Sequence, residues 1–468
     1  MISGSKSSGF QISSIEVVAP VFQQAFGDSL DINRLSAAHI VAVLGSNEIP
    51  IAAAAIEKNG GRSWHCWLLA VDEKHRHQGL GRLLLRHVID LATTEGAGSV
   101  WLKSFKKWKP MQTILQKDGW HLCGAEVAGR HDGVREIWRF PILRNPIDVV
   151  VIGANPVGRG AEWIERIRTL PTMFRVQAII DGNPGCRDHW QRLGFPVFGT
   201  LQELPESAQP AAAVIAVPPT AVAGVQKQCI QLGISYLVEK PMAGSLAELA
   251  DLQAQLQNSN VCVAVGVQRR SHPSYVALKS VLSGHGVTEL SVQITLGRPV
   301  EDRPAGHRGD RSQCRGGALL DLGYHALDLV HFLLGHPLEL VSCSLTTSGD
   351  LALAIESAAS VLGRCGKTWV RIDVDRHGSA KTELVHARTE EGVWTVDREK
   401  VLRPDGSCLY HCSGSWEKAE AGTLASLAGA IATGKSEAMD LWEHLALFEL
   451  VERAYASAYI HGLEGFAP

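Results

Sequence analysis

Arg76-His77-Gln78-Gly79-Leu80-Gly81 and, about seventy residues further on, Val151-Ile152-Gly153-Ala154-Asn155-Pro156-Val157-Gly158 decide how this chain is read. Each stretch lies between a strand-like run and a helix-like run. Loops of this kind aim backbone N–H groups and a helix N-terminus at phosphate oxygens, and their glycines let the backbone come close. Two of them on one chain point to a fused protein that handles two phosphate-bearing cofactors.

Around the first loop, Ile40–Leu44, Ile49–Ile56 and Trp64–Val71 read as strands, preceded by a helix from about residue 33. After it, Leu80, Leu84, Val88 and Leu91 fall on one helical stripe, which Gly96 and Gly98 close. Ser99–Lys103 is a further strand, residues 110–117 a short helix, and Arg135–Phe140 a last strand. Pro141-Ile-Leu-Arg-Asn-Pro146 is a linker. From Ile147 the strands Asp148–Gly153, Val176–Asp181, Ala211–Val217, Tyr236–Val238 and Val261–Val267 alternate with helices, which implies a parallel sheet wound on both faces. Beyond about residue 285 alternating strands such as Leu290–Leu296 and Thr368–Val374 suggest an open, mostly antiparallel sheet in an α+β domain. A terminal helix is expected at about 440–461.

Composition fits an ordinary globular protein: 468 residues, 45% hydrophobic, 20% charged, net charge −3. That balance gives no general drive toward nucleic acid. Up to residue 145 there are 17 Lys and Arg against 13 Asp and Glu, and beyond it 28 against 35, a distribution that suits an anionic ligand in the first module. The ten cysteines form no CxxC pair, the pattern of reduced thiols. Cys408, His411 and Cys412 make only an incomplete ligand set, so no metal is expected. Met1–Gly9 lacks the apolar core of a secretory signal and no run of ~18 apolar residues occurs, so a cytoplasmic location without a membrane span is expected.

Arg-x-x-Gly-x-Gly between a strand and a leucine-rich helix resembles the acetyl-CoA motif of the GNAT N-acetyltransferases, and the resemblance spans roughly residues 30–140. It implies a GNAT-like α/β domain over 1–143, with acetyl-CoA as cofactor. Arg76, His77, Gln78, Gly79, Leu80 and Gly81 would hold the pyrophosphate of coenzyme A, with Arg82 in support. The family tyrosine that protonates the leaving thiolate is replaced here by Leu115. Glu73, His75 and His65 are candidate bases for the acceptor amine. The basic run Lys103–Lys109 reads as a solvated edge near the coenzyme's phosphates rather than a nucleic-acid platform.

The second loop has its first and third glycines at Gly153 and Gly158, but Asn155 replaces the middle one, and Pro156 restrains its predecessor. Asp181 closes the second strand where a carboxylate meets the adenosine ribose. NAD is therefore expected, and nearby Arg187 keeps NADP open. With Val214–Pro219, Val238-Glu239-Lys240-Pro241 and Gly317–Val330, this region resembles the Gfo/Idh/MocA oxidoreductases over roughly 146–465. The resemblance implies a Rossmann domain at 146–267 and a substrate-binding and oligomerisation domain at 268–468. Cofactor contacts would come from Gly153, Asn155, Pro156, Val157, Gly158, Asp181, Pro218, Pro219, Glu239 and Lys240. His325 would be the acid/base, Lys240 the electrostatic partner and Asp321 the orienter, since Asp321 and His325, four apart, share a helix face. Arg270 and Tyr324 are candidate substrate contacts, and Val222 stands where many relatives carry a histidine.

The whole reads as a bifunctional biosynthetic enzyme. One head would oxidise a hydroxyl or reduce a ketone on a sugar or nucleotide sugar with NAD. The other would N-acetylate an amine with acetyl-CoA. An imine reductase with acyltransferase tailoring is an alternative, as is a chain in which one head only senses its ligand. Small-molecule substrates and a homodimer or homotetramer are expected.

Overall fold

The computed structural model describes residues 10–12, 14–27, 30–45, 48–58, 62–128, 133–205, 208–297, 311–347, 355–434 and 441–461; the Met1–Gly9 stretch lies outside them. The chain divides into two units, residues 1–122 with 135–144, and residues 123–134 with 145–468. No helix among the described residues is long and apolar enough to cross a membrane.

The first sheet contains β1 (Phe10–Ile12), β2 (His39–Leu44), β3 (Pro50–Glu57), β4 (Ser63–Val71), β5 (Ser99–Phe105), β6 (His121–Ala128) and β7 (Gly133–Pro141), in the order β1-β2-β3-β4-β5-β7-β6. Helices α1 (Ile15–Phe26), α2 (Ile32–Ser36), α3 (Leu80–Thr94) and α4 (Lys109–Lys117) accompany it. On α1, Val18, Val21 and Phe22 join Leu35, Ile40, Ala42, Ala53, Ala55 and Ala70 in one apolar cluster. The α3 stripe buries Leu84, Leu85, Val88 and Ala92. One extra residue at Trp67 bulges β4 against β3. β4 and β5 pair in parallel only from Ser63–His65 to Ser99–Trp101 and then part.

The second sheet is parallel, with β8 (Ile147–Ile152), β9 (Phe174–Ile180), β10 (Val197–Phe198), β11 (Ala212–Ile215), β12 (Ser235–Val238) and β13 (Val263–Val265) in the order β10-β9-β8-β11-β12-β13. This is the doubly wound arrangement whose order reverses between β8 and β11, and ligands bind at such a switch point. Strands β8 and β11 bury nearly every residue, as interior parallel strands must. The helix α5 (Arg159–Arg168) follows the second loop.

A nine-stranded sheet completes the second unit. Within it Glu289–Thr295 lies parallel to Thr368–Asp375 and antiparallel to Thr382–Thr389. The sequence reading is corrected at the C-terminus. The helix there runs Leu441–Ser457 and is followed by a strand, Tyr459–His461, parallel to Glu339–Thr347.

Candidate active sites

In the first unit the loop after β4 takes the shape that its glycines allow. His77 and Gly79 have positive φ, 63° and 82°, and the first helical bond of α3 runs from Leu83 N–H to the Gly79 carbonyl. The N–H groups of the first turn therefore have no intrahelical acceptors and are available to an anion. Arg76 Nε donates to the Val71 carbonyl. Arg82 differs from expectation: it forks onto Asp118, at 2.9 and 2.7 Å from Nε, so its charge is already countered.

The last paired position of the splay is His65, stacked on Trp101 with centroids 3.7 Å apart. Its Nδ1 lies 2.8 Å from Glu57 Oε2, and Arg34 grips the same carboxylate. Arg34 holds Glu57 down to about 2. Burial lowers the His65 pKa, partly opposed by Glu57, which keeps the imidazole neutral near pH 7. The other candidate bases lie elsewhere: Glu73 and His75 form the turn before the loop, with His75 held by Asp72. Leu115 is fully buried on α4, and all six tyrosines of the chain occur from residue 236 onward, so the first unit offers no phenol.

In the second unit the carboxyl ends of β8, β9, β11 and β12 deliver residues to one cleft of about 1390 Å³. That volume exceeds an ordinary small-ligand pocket and leaves room for a dinucleotide with a second molecule. Gly153 has φ 84°, and a Cβ there would lie 2.6 Å from the Ala216 carbonyl oxygen. Asn155 keeps a negative φ and instead closes an Asx turn, accepting from Val157 N–H at 3.1 Å. Asp181 accepts from Ala154 N–H at 2.8 Å and from Asn183 N–H at 2.9 Å. Arg187 donates to the carbonyls of Asp181 and Gly182. These features fit a dinucleotide: a close backbone approach, a helix N-terminus at α5 and a carboxylate at the ribose position.

Deeper in the same cleft, Lys240 Nζ donates to Asp321 Oδ1 at 2.8 Å and to its carbonyl at 2.5 Å. Arg376 reaches Asp321 Oδ2 at 3.3 Å. Asp321 lies in a π-helical turn, Leu319–Gly323, ahead of the α-helix Tyr324–Leu334, a feature common at functional sites. His325 lines the cleft beside them, and its buried Nδ1 has no hydrogen-bond partner among the described residues. Burial, and then the charge of Lys240, push its pKa well below 6.5, so the ring is a neutral proton acceptor.

Most of the expected cofactor residues line this cleft: Gly153, Asn155, Pro156, Val157, Gly158, Asp181, Pro218, Pro219, Glu239 and Lys240. The Glu239 carboxylate, however, is occupied, accepting from Arg159, Trp163 and Gln268. Arg270 and Tyr324 are corrected, because neither lines the cleft. Arg270 is locked onto Asp328 and Glu443, and the buried Tyr324 hydroxyl meets His444 Nδ1 at 2.9 Å. Arg270 lies in the turn Gln268–Ser271 and Tyr324 opens the helix Tyr324–Leu334, and both are spent on these buried contacts. Gly160 is a residue the motif spacing missed: a Cβ there would sit 2.2 Å from the Gly153 carbonyl oxygen, so it is the glycine that seats α5 on the loop. Arg269, Arg376, Lys381, Arg398 and Trp416 also line the cleft and were not anticipated.

Three family descriptions match separate stretches: "Acetyltransferase (GNAT) family" at residues 12–112, "Oxidoreductase family, NAD-binding Rossmann fold" at 147–267, and "GFO/IDH/MocA C-terminal domain" at 286–392. A putative UDP-kanosamine synthase oxidoreductase subunit of Amycolatopsis mediterranei is 30% identical over 191 residues, 40% of this chain and 52% of that one. Streptothricin acetyltransferase of Streptomyces lavendulae is 37% identical over 54 residues, 12% of this chain and 29% of that one. The chain thus spans about half the length, or less, of these curated relatives. In fold it is similar to an inositol dehydrogenase homolog from Azotobacter vinelandii solved with NAD+, at TM-score 0.61 and 17% identity, covering 67% of this chain and 96% of that one.

Proposed function

We propose that this chain, in which a GNAT acetyltransferase domain precedes a GFO/IDH/MocA oxidoreductase unit, is a bifunctional biosynthetic enzyme. The second unit interconverts a hydroxyl and a ketone on a sugar-type substrate with NAD. The first transfers acetyl from acetyl-CoA to an amine. The division we infer is 1–143, 146–267 and 268–468. The observation that carries the redox half is the Lys240–Asp321 pair at 2.8 Å in the cleft that His325 also lines.

Bound NAD supplies the hydride acceptor. The chain's own residues handle the proton and the charge. His325, neutral near pH 7, accepts the hydroxyl proton as the carbinol is oxidised. The Lys240 ammonium faces the developing alkoxide oxygen and favours it over the neutral alcohol. Asp321, bridging Lys240 and Arg376, fixes where that ammonium points. In the reverse direction the imidazolium returns the proton to the same oxygen. Asp181 at the ribose position favours NAD, since a carboxylate repels a 2′-phosphate.

In the first unit His65, oriented by Glu57 and Arg34, takes the proton of the attacking amine. The leaving thiolate takes its proton from water. The absence of a phenol there also favours a second reading, in which this unit binds acyl-CoA without turnover. Val341, Leu362 and Trp369, exposed by 54%, 38% and 44%, supply the apolar part of a surface for self-association on the nine-stranded sheet.

The redox reading is tested with H325N and K240A. Each should cut NADH formation from a responsive carbinol by about 10²-fold or more while NAD affinity stays within about twofold. Retained turnover in both variants would remove the proposal.

A further inference from the structure

Most of the cations that line the cleft are held by carboxylates. Lys240 and Arg376 share Asp321, Arg159 and Arg166 share Glu420, and Arg269 forks onto Glu383 at 2.9 and 2.7 Å. Lys381 and Arg398 also line the cleft, and among the described residues neither makes an ion pair. Strand pairing explains their proximity. Leu384 opposes Asp397, so Lys381, just before one strand, and Arg398, just after its neighbour, come to the same edge of the nine-stranded sheet.

Two more features mark this edge as built for an anion. The Trp416 ring has Arg269 and Arg398 guanidinium carbons 5.3 and 5.4 Å from its centroid. Arg269 is 4% exposed, yet its buried Nη1 has no hydrogen-bond partner among the described residues. Burial first, and then the neighbouring Arg398 and Arg269, lower the Lys381 pKa, partly opposed by Glu383 and Glu162. An arriving anion offsets the repulsion between these cations. The cofactor loop and Asp181 stand on the parallel sheet, whereas Lys381 and Arg398 stand at the end of the other sheet, with Glu162 of α5 near enough to Lys381 to favour its charged form.

We propose that Lys381 and Arg398 bind a phosphate group on the substrate, so that the second unit acts on a sugar carrying a phosphate or diphosphate ester. This rests on the redox reading above, because it presumes that NAD fills the parallel-sheet side of the cleft. The shared chemistry is a phosphate dianion held by one ammonium and one guanidinium.

The test is calorimetric titration of the NAD-saturated full chain with glucose 1-phosphate, uridine diphosphate and glucose. At least one phosphorylated probe should bind about tenfold or more tighter than glucose, and that preference should shrink with added salt. Tighter uridine diphosphate identifies a nucleotide sugar as the source, and tighter glucose 1-phosphate a simple sugar phosphate. K381A and R398A should each lose about tenfold of that binding, with R398K retaining more than R398A and NAD affinity unchanged. Phosphorylated probes no tighter than glucose would overturn the proposal. So would variants whose lost affinity is for NAD, because the two cations would then serve the cofactor's own phosphates. A wild-type chain that does not bind NAD at all would instead defeat the redox reading and this inference with it.

Discussion

Two charged residues show how far individual side chains constrain the molecule. Glu383 is buried, and burial alone would raise its pKa, but the Arg269 fork and the Tyr275 hydroxyl outweigh that and hold it at about 2. A carboxylate with a depressed pKa stabilises the fold above its ordinary value near 4.5 and loses that contribution as the pH falls toward about 2. E383Q leaves a buried guanidinium without its partner, so it should cost about 3–5 kcal/mol in urea unfolding at pH 7, and a loss below about 1 kcal/mol would contradict the pairing. His65 leads to a kinetic prediction. Its pKa is lowered, so the acid limb of kcat/KM for acetyl transfer should fall below pH 6.5. Glu57 raises that pKa, so E57Q should move the limb further toward acid, while H65A should lower kcat by about 10²-fold. A limb that shifts to higher pH in E57Q would exclude His65 as the base.

Elements carry the loops to their places, and Gly160 is where this is most sharply constrained. With its Cβ position 2.2 Å from the Gly153 oxygen, G160A must push α5 off the loop. We expect about 1–3 kcal/mol of destabilisation and a loss of NAD affinity larger than that of acetyl-CoA, measured by thermal shift with each ligand. The glycine loops and the parallel strands were legible because they rest on local spacing, whereas the Lys240, Asp321 and His325 trio was legible through the family resemblance of the stretches that carry it. Other features depended on partners distant in sequence. The α1 helix went unread because Pro20 and paired valines weaken its local preference, and packing against the sheet decides it. Tyr459–His461 continued a helical pattern until its pairing with Glu339–Thr347 made it a strand. Arg376 and Glu383 did leave a signal. They occupy inward positions in the alternations Val370, Ile372, Val374, Arg376 and Glu383, Val385, Ala387, and a charge on the buried face of a strand calls for a buried partner. Arg270 misled for the converse reason, since nothing in the sequence reveals Asp328 and Glu443 as its partners.

At the scale of the whole chain, two sites built from separate residues should fail separately. The groups argued to move protons in the first unit, His65 and Glu57, bond to each other, and Glu57 to Arg34, while in the second unit Lys240 and Asp321 bond to each other and Arg376 joins them. Mutations in separate networks act additively, whereas members of one network do not. H65A should therefore cut acetyl transfer by about 10²-fold and leave NADH formation within about twofold, H325N should do the reverse, and each rate in the double variant should equal the product of the two single effects. The same independence predicts that saturating acetyl-CoA and NAD stabilise their own units, each by about 2.7 kcal/mol at a hundredfold excess over its Kd. Both rates would be followed in one reaction, acetylated product by mass spectrometry and NADH by absorbance. If H65A also silences NADH formation with NAD still bound, the two chemistries depend on a common intermediate or conformation, and a chain with two autonomous heads is the wrong description.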